Sequence, residues 1–482
     1  MLQQTQVPQH VGLRQGALST GFIIFFVISA ASPLAVLAGA FPIGIMLGNG
    51  PGTPALLLAT LAILLIFSAG YTAMARHVSN AGGFYAFSCR GLGGIVGGGV
   101  GVLAMFFYNI IQIGVYGLFG AVVSDTMVAT FHIVLPWWAY SFIAMASVAV
   151  LGYRQIDLSA RLLSVMVTAE YIAIFALDVC ILLKGGAAGV NLDAFKPANV
   201  SSGSPSIGLL FCFAAFIGFE ATTIYGEEAK DPKRAIPVAT FVAVLLIGAF
   251  YSLSVWAMVV GTGASKIVPM LQAMQDPTTF IYGLSDHYVG HGLTSVIRVL
   301  FIVSLYAGLL AFHNSAARYF FAGGRDRLLP QKCGHAHGSH QSPHIGSLLQ
   351  SAIAVVVVGL FAMYGADPVM QCFAWLSNVA TLCVILLMAI TSAAVIGFFR
   401  KHPGSGESRL RTQILPAISC VALIYVLVTA IRHFDVLTGA SGPLAYGLCA
   451  LVPLAVVLGV ALALRLRRVS PEHYRRLGMH TV

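Results

Sequence analysis

The chain has little charge. Only 9% of its 482 residues are Asp, Glu, Lys or Arg, and the acids number just 16, where a soluble domain carries about a quarter charged residues. That shortage excludes a water-soluble globular protein. With 58% apolar residues and a mean hydropathy of +0.89, the chain belongs in a lipid bilayer. The eight cysteines include no C-x-x-C pair and lie mostly inside apolar runs, which argues against a disulfide framework and for small buried hydrophobes. P-loop, H-E-x-x-H and G-x-S-x-G motifs are all missing, so ATP-driven chemistry and hydrolysis lack their signatures and no cofactor is implied. The first apolar segment lacks a basic n-region and runs too long for a cleavable leader. No attached soluble domain is expected.

What is abundant is apolar sequence in long runs. Stretches of about 20 apolar residues give twelve expected transmembrane helices, near 18–48, 54–75, 95–128, 134–152, 160–183, 207–226, 236–261, 294–322, 346–364, 368–399, 413–432 and 442–465. The fold class is therefore all-α integral membrane. With the N-terminus inside, 21 of the 26 Lys and Arg fall on the cytoplasmic side, leaving Lys184, Lys196, Lys266, Arg298 and Arg432 outside. That bias predicts both termini cytoplasmic in a multi-pass protein of the plasma membrane. It also explains the net charge of +10 without a nucleic-acid partner; the bilayer is the expected partner.

Two spans are interrupted. The first contains Ala31-Ser32-Pro33 and, further on, Gly39 and Pro42; Pro33 disfavours helix at the preceding residue. The sixth breaks at Phe216-Ile217-Gly218, beside the carboxylate of Glu220. Spans one and six are five apart, as expected if spans 1–5 and 6–10 form inverted repeats. Free N–H groups at the start of a half-helix near Gly39 suit a carboxylate. Carbonyls near Ser32 and Phe213 suit an ammonium. The expected substrate-binding residues are therefore Ser32, Ala35, Val36, Leu37 and Gly39 in the first break, and Phe213, Ala215, Phe216, Ile217 and Gly218 in the second. Kinks that bind nothing are also common in membrane helices, so the pairing of the breaks carries the inference.

At these residues the chain resembles the amino acid–polyamine–organocation superfamily of secondary transporters, and an amino acid permease within it. The match lies in Phe216-Ile217-Gly218-Phe219-Glu220 with Gly226-Glu227-Glu228-Ala229-Lys230-Asp231-Pro232, in Ala81-Gly82-Gly83-Phe84-Tyr85-Ala86-Phe87, and in His313-Asn314-Ser315-Ala316-Ala317-Arg318 followed by Gly324-Arg325-Asp326-Arg327-Leu328-Leu329-Pro330. The resemblance implies a core, 18–400, of two inverted five-helix repeats (18–184 and 207–400) with discontinuous helices one and six. Two additional helices (401–465) follow. A cytoplasmic N-terminal tail (1–17) and a basic cytoplasmic tail (466–482) flank these. It also implies alternating access and a small-molecule substrate, an amino acid. Where many members carry Gly-Ser-Gly in span one, this chain has Ala35-Val36-Leu37, leaving less room for backbone approach.

Few acids are expected deep in the spans: Glu170, Asp178 and Glu220. An intramembrane acid is costly and usually functional or paired. Glu170 falls where proton-coupled relatives place a lysine in span five, so Glu170 and Glu220 are the candidates for gating or for carrying a coupling proton; a structural hydrogen-bonding role is the other reading of each. Asp178 reads as a solvated or paired acid. Tyr108, Asn109, Gln112 and Tyr116 share one face of span three, and Trp375 opens span ten beside Ser377 and Asn378; they either line a pathway or bond helix to helix. His335, His337, His340 and His344 match no metal-ligand spacing, so no metal is expected. The function indicated is secondary transport of an amino acid, with proton symport. The alternatives are a polyamine or amine exchanger, which would call for more acids in the site, and a channel or sensor on the same scaffold.

Overall fold

The computed structural model describes residue 16 and residues 18–78, 80–154, 156–338, 341–438 and 442–479. The N-terminal tail apart from residue 16, His340 and the last three residues lie outside the described residues. Among those described, regular structure is helical, with a single isolated bridge pairing Leu18 with Ala229.

The major helices are α1 (Thr20–Ala31), α2 (Phe41–Leu47), α3 (Thr53–Ala75), α4 (Phe84–Leu92), α5 (Gly94–Phe131), α6 (Trp137–Arg154) and α7 (Ile156–Leu183). They continue with α8 (Pro205–Ala214), α9 (Pro232–Thr262), α10 (His291–Arg325), α11 (His344–Met363), α12 (Ala374–Lys401), α13 (Leu415–Arg432) and α14 (Pro443–Val469). Helix starts follow the local chemistry. Ser19 accepts the Phe22 N–H at 3.2 Å and caps α1. Proline occupies the first turn of α3, α8, α9 and α14, where its missing N–H costs nothing.

Among the described residues, eleven helical segments are long and apolar enough to cross a membrane. The expected fourth span is where the count departs from twelve. Its apolar helix, Trp137–Tyr153, falls short of the roughly 20 residues a straight crossing needs. At 38 residues, α5 is about 57 Å long at 1.5 Å per residue. It therefore extends beyond a hydrocarbon layer of about 30 Å. It packs against α10, α12 and α14, while α1 lies against α7, α9 and α10. The broken sixth segment is the most enclosed, 89% buried over its most apolar window, against 22% for α14. Interrupted backbone needs such cover, because lipid offers no hydrogen bonds.

Candidate functional site

The first break is at Ser32. Its φ of +44° lies in the left-handed region, unusual for a residue with a side chain. Its hydroxyl donates to the Ser29 carbonyl at 3.0 Å. The chain then turns through a π-helical segment, Ala35–Ala40, into α2. Helix thus resumes directly after Ser32, and not near Gly39 as the sequence suggested. Pro33 sits at that restart, where its ring is tolerated, and Gly39 instead packs toward Leu118 and Phe301 of neighbouring helices.

The second break follows α8. Residues 215–218 form turns, and Gly218 has φ +113° before the 3-10 segment Phe219–Tyr225. The two breaks touch. A Cβ at Gly218 would lie 2.7 Å from Ala30 Cβ and 3.2 Å from the Ala30 carbonyl carbon. Gly218→Ala should therefore destabilise the fold by about 1–3 kcal/mol through backbone strain alone, read as a lower unfolding midpoint in detergent. A wild-type midpoint would contradict this packing.

Each break is held by its own carboxylate. Glu170 of α7 is fully buried, and its Oε2 lies 3.4 Å from the Leu34 N–H. Ser304 Oγ of α10 accepts from the N–H groups of Leu34 at 3.2 Å and Ala35 at 3.4 Å. The donors at the half-helix start are thus met from two other helices. Among the described residues, the second oxygen of Glu170, Oε1, has no hydrogen-bond partner. Glu220 braces the other break: Oε2 accepts from the Gly218 N–H at 2.9 Å and Oε1 from Tyr108 at 2.8 Å. Asp178 is paired, accepting from Ser254 at 2.6 Å.

Beside the joined breaks lies a narrow cavity of about 60 Å³, smaller than the roughly 300–1,000 Å³ usual for small-molecule sites. Of the expected site residues, Ser32, Ala35, Val36 and Ile217 line it; Leu37, Gly39, Phe213, Ala215, Phe216 and Gly218 do not. Its aromatic wall comes from Phe211, Phe312 and Phe373, and its other polar side chains are Ser377 and Asn378 of α12. Among the described residues, no charged side chain lines it. Phe211, Ala214 and Ile217 recur at threes along the sixth segment, a helical spacing that could have singled out this face in place of Phe213 and Phe216. The stripe on α5 is used elsewhere. Tyr108 holds Glu220, the Asn109 amide donates to the Met105 carbonyl at 2.7 Å, and Gln112 donates to the Leu309 carbonyl at 3.1 Å and bonds Gln350 of α11. Trp375 is half-buried beside the cavity but does not line it.

The three segments that carried the sequence resemblance converge at one end of the bundle. Arg318 pairs with Glu228 through Nε–Oε1 at 2.8 Å and Nη2–Oε2 at 3.2 Å, both side chains almost wholly buried, and its guanidinium lies over the Tyr225 ring. Arg325 makes a two-point pair with Glu227 at 2.8 and 3.0 Å, and Glu227 also accepts the Ala81 N–H at 2.9 Å. Tyr85 donates to Asp326 at 2.7 Å. The same carboxylate oxygen of Asp326 accepts the N–H of Gly478, near the C-terminus, at 2.7 Å. Leu18 closes this end by exchanging backbone hydrogen bonds with Glu228 and Lys230 at 2.9 and 3.0 Å. His337 and His344 cluster with the Tyr153 ring, and among the described residues no group of side chains could hold a metal.

The sequence is similar to known transport proteins. A sequence model of a family described as amino acid permease matches residues 22–470. The low-affinity putrescine importer PlaP of Escherichia coli (strain K12) is 23% identical over 330 residues, covering 65% of this chain and 69% of its own length. The branched-chain amino acid permease BcaP of Bacillus subtilis (strain 168) is 23% identical over 402 residues, 78% of this chain and 80% of its own. The methylthioribose transporter of the same organism is 26% identical over 240 residues, 48% of each chain.

Proposed function

From the premise that this chain belongs to the amino acid permease family, and is a multi-pass membrane transporter and no enzyme, we propose that it carries a neutral amino acid with an apolar side chain, coupled to a proton. The observation that carries the choice of cargo is the cavity wall. Ala35, Val36, Ile111, Val115, Phe211, Ile217, Phe312 and Phe373 offer apolar surface, and polar side chains are limited to Ser32, Ser377 and Asn378. A diamine would bring two positive charges into a site with no carboxylate on its wall, and an unpaired buried charge is prohibitively costly. That weighs against the putrescine importer as the guide to substrate and toward the branched-chain permease.

The breaks supply the means of recognising a zwitterion. Leu34 and Ala35 N–H groups at a half-helix start suit a carboxylate, and their present partners are 3.2–3.4 Å away, so they can be exchanged. Ser377 and Asn378 are the other polar side chains on the cavity wall besides Ser32. Glu170 is the proton carrier in this reading, because it touches the same N–H and keeps one oxygen without a partner. Binding of the substrate carboxylate at Leu34 would displace a charged Glu170 and favour its neutral form, tying proton to cargo. The titratable neighbours of Glu170 are Tyr171 and Tyr251. Twelve crossings in two inverted repeats, with α6 as a short fourth span, both termini cytoplasmic and placement in the plasma membrane, complete the proposal. Alternating access follows, with the end joined by Glu228–Arg318 and Glu227–Arg325 closed.

Competition in proteoliposomes tests the cargo. Losing one polar partner costs about 1–3 kcal/mol, so a neutral amino acid should outcompete its decarboxylated amine and its deaminated acid by roughly tenfold or more each. Displacement by putrescine ahead of every amino acid would reverse the assignment in favour of an amine exchanger.

A further inference from the structure

A second space, of about 570 Å³, opens on the opposite side of α5 from the substrate cavity. Its floor is Val102, Met105, Phe106, Ile110 and Ile113 of α5, and its rims are α11 and α14. The rim residues Ile353 and Leu458 are 37% and 52% exposed, so the groove is open to the surrounding bilayer. From Val102 to Ile113 the helix rises roughly 16 Å, about half of a hydrocarbon layer of about 30 Å. The groove therefore has the depth of one leaflet. Its wall is apolar except for Asn109 and, at one end, Arg465 in the last turns of α14. Among the described residues no carboxylate pairs with Arg465, and Arg467 and Arg468 follow directly.

We propose that this groove binds one anionic phospholipid of the cytoplasmic leaflet, an acyl chain lying along α5 and the phosphate at Arg465; the choice of leaflet rests on the orientation proposed above. Length, apolar wall and an unpaired cation at the interfacial end fit that ligand together. Basic pockets between membrane helices on the cytoplasmic side suit anionic head groups. The site also adjoins the transport machinery. Helices α5 and α12 are the partition between groove and cavity: Ile110, Ile113 and Leu376 face the lipid, while Ile111, Ala374 and Ser377 face the cavity. A bound chain fills the space behind that partition.

Native mass spectrometry of the full-length purified protein, with phosphatidylglycerol and phosphatidylcholine of identical chains, tests this independently of any substrate. The wild type should retain one phosphatidylglycerol in preference to phosphatidylcholine. Arg465→Ala should weaken that binding about fivefold, the worth of one juxtamembrane basic residue, whereas Arg475→Ala should leave it unchanged. Ala461→Phe, which fills the groove, should remove the bound lipid; Arg465→Ala alters only an exposed side chain and keeps the test intact if the filled variant misfolds. Equal retention of the two lipids, indifference to Arg465→Ala, or the same loss on Arg475→Ala would overturn the proposal. So would a dimer that Ala461→Phe dissolves while lipid binding persists, which would put a second copy of the chain on this face.

Discussion

Glu170→Gln should abolish accumulation driven by a pH gradient in proteoliposomes, reducing it to the level reached without a gradient, while counterflow of preloaded substrate continues. The glutamine keeps the size and an acceptor oxygen for the Leu34 N–H, which Glu170 approaches at 3.4 Å. It removes only the ability to change charge. The comparison separates two roles. If Glu170 serves solely to cap the half-helix, the variant should slow gradient-driven uptake and counterflow in equal proportion, or leave both untouched. Only a proton carrier loses one and keeps the other. A variant that still accumulates substrate in response to a proton gradient would move coupling to another group, with Glu220 next because it braces the second break.

The largest effect on stability is expected at the opposite kind of site. Arg318→Met should destabilise the protein by about 3–5 kcal/mol, the cost of leaving one member of a buried ion pair without its partner. Arg318 and Glu228 have side chains only 1% and 5% exposed, so water cannot compensate Glu228 when the guanidinium is gone. The double variant Arg318→Met/Glu228→Gln should recover much of the loss, since replacing both charges removes the stranded carboxylate. Unfolding in mixed detergent micelles measures both. A single variant within about 1 kcal/mol of wild type, the range of exposed ion pairs, would mean that this pair is solvated and does not seal the end of the bundle.

Much of this architecture was legible in the sequence, and the parts that were not share a cause. The apolar runs located the helices to within a few residues because a membrane span must be apolar along its whole length. Pro33 and Gly218 marked the breaks because each restricts or frees the backbone locally. The motifs around Gly82, Glu228 and Arg318 identified segments that proved to meet in space. What escaped was direction around the helix axis. A helix buried on all sides is apolar on all sides, so only the spacing of Phe211 with Ala214 and Ile217 set it apart from Phe213 as a cavity residue, and nothing local told that Tyr108 and Gln112 serve helix–helix bonding. Nor could spacing show that the half-helix at Leu34 is capped by Glu170, 136 positions along the chain. The fourth span, expected as an equal of the others, holds an apolar helix, Trp137–Tyr153, shorter than the eleven segments able to cross.

The hydrogen bond from Gly478 to Asp326 has a mechanical meaning. Tyr474 and Leu477 lie against Gly94 at the start of α5, and Gly478 lies against Ala86 and Cys89 of α4. Residues 474–478 are thus moored to α4 and α5 and, through Asp326, to the end of α10 that carries Arg325. A displacement of Arg325 together with Asp326 would carry residues 474–478 along or break the Gly478 hydrogen bond, so two points 152 positions apart in the sequence would move as one piece or part at that bond.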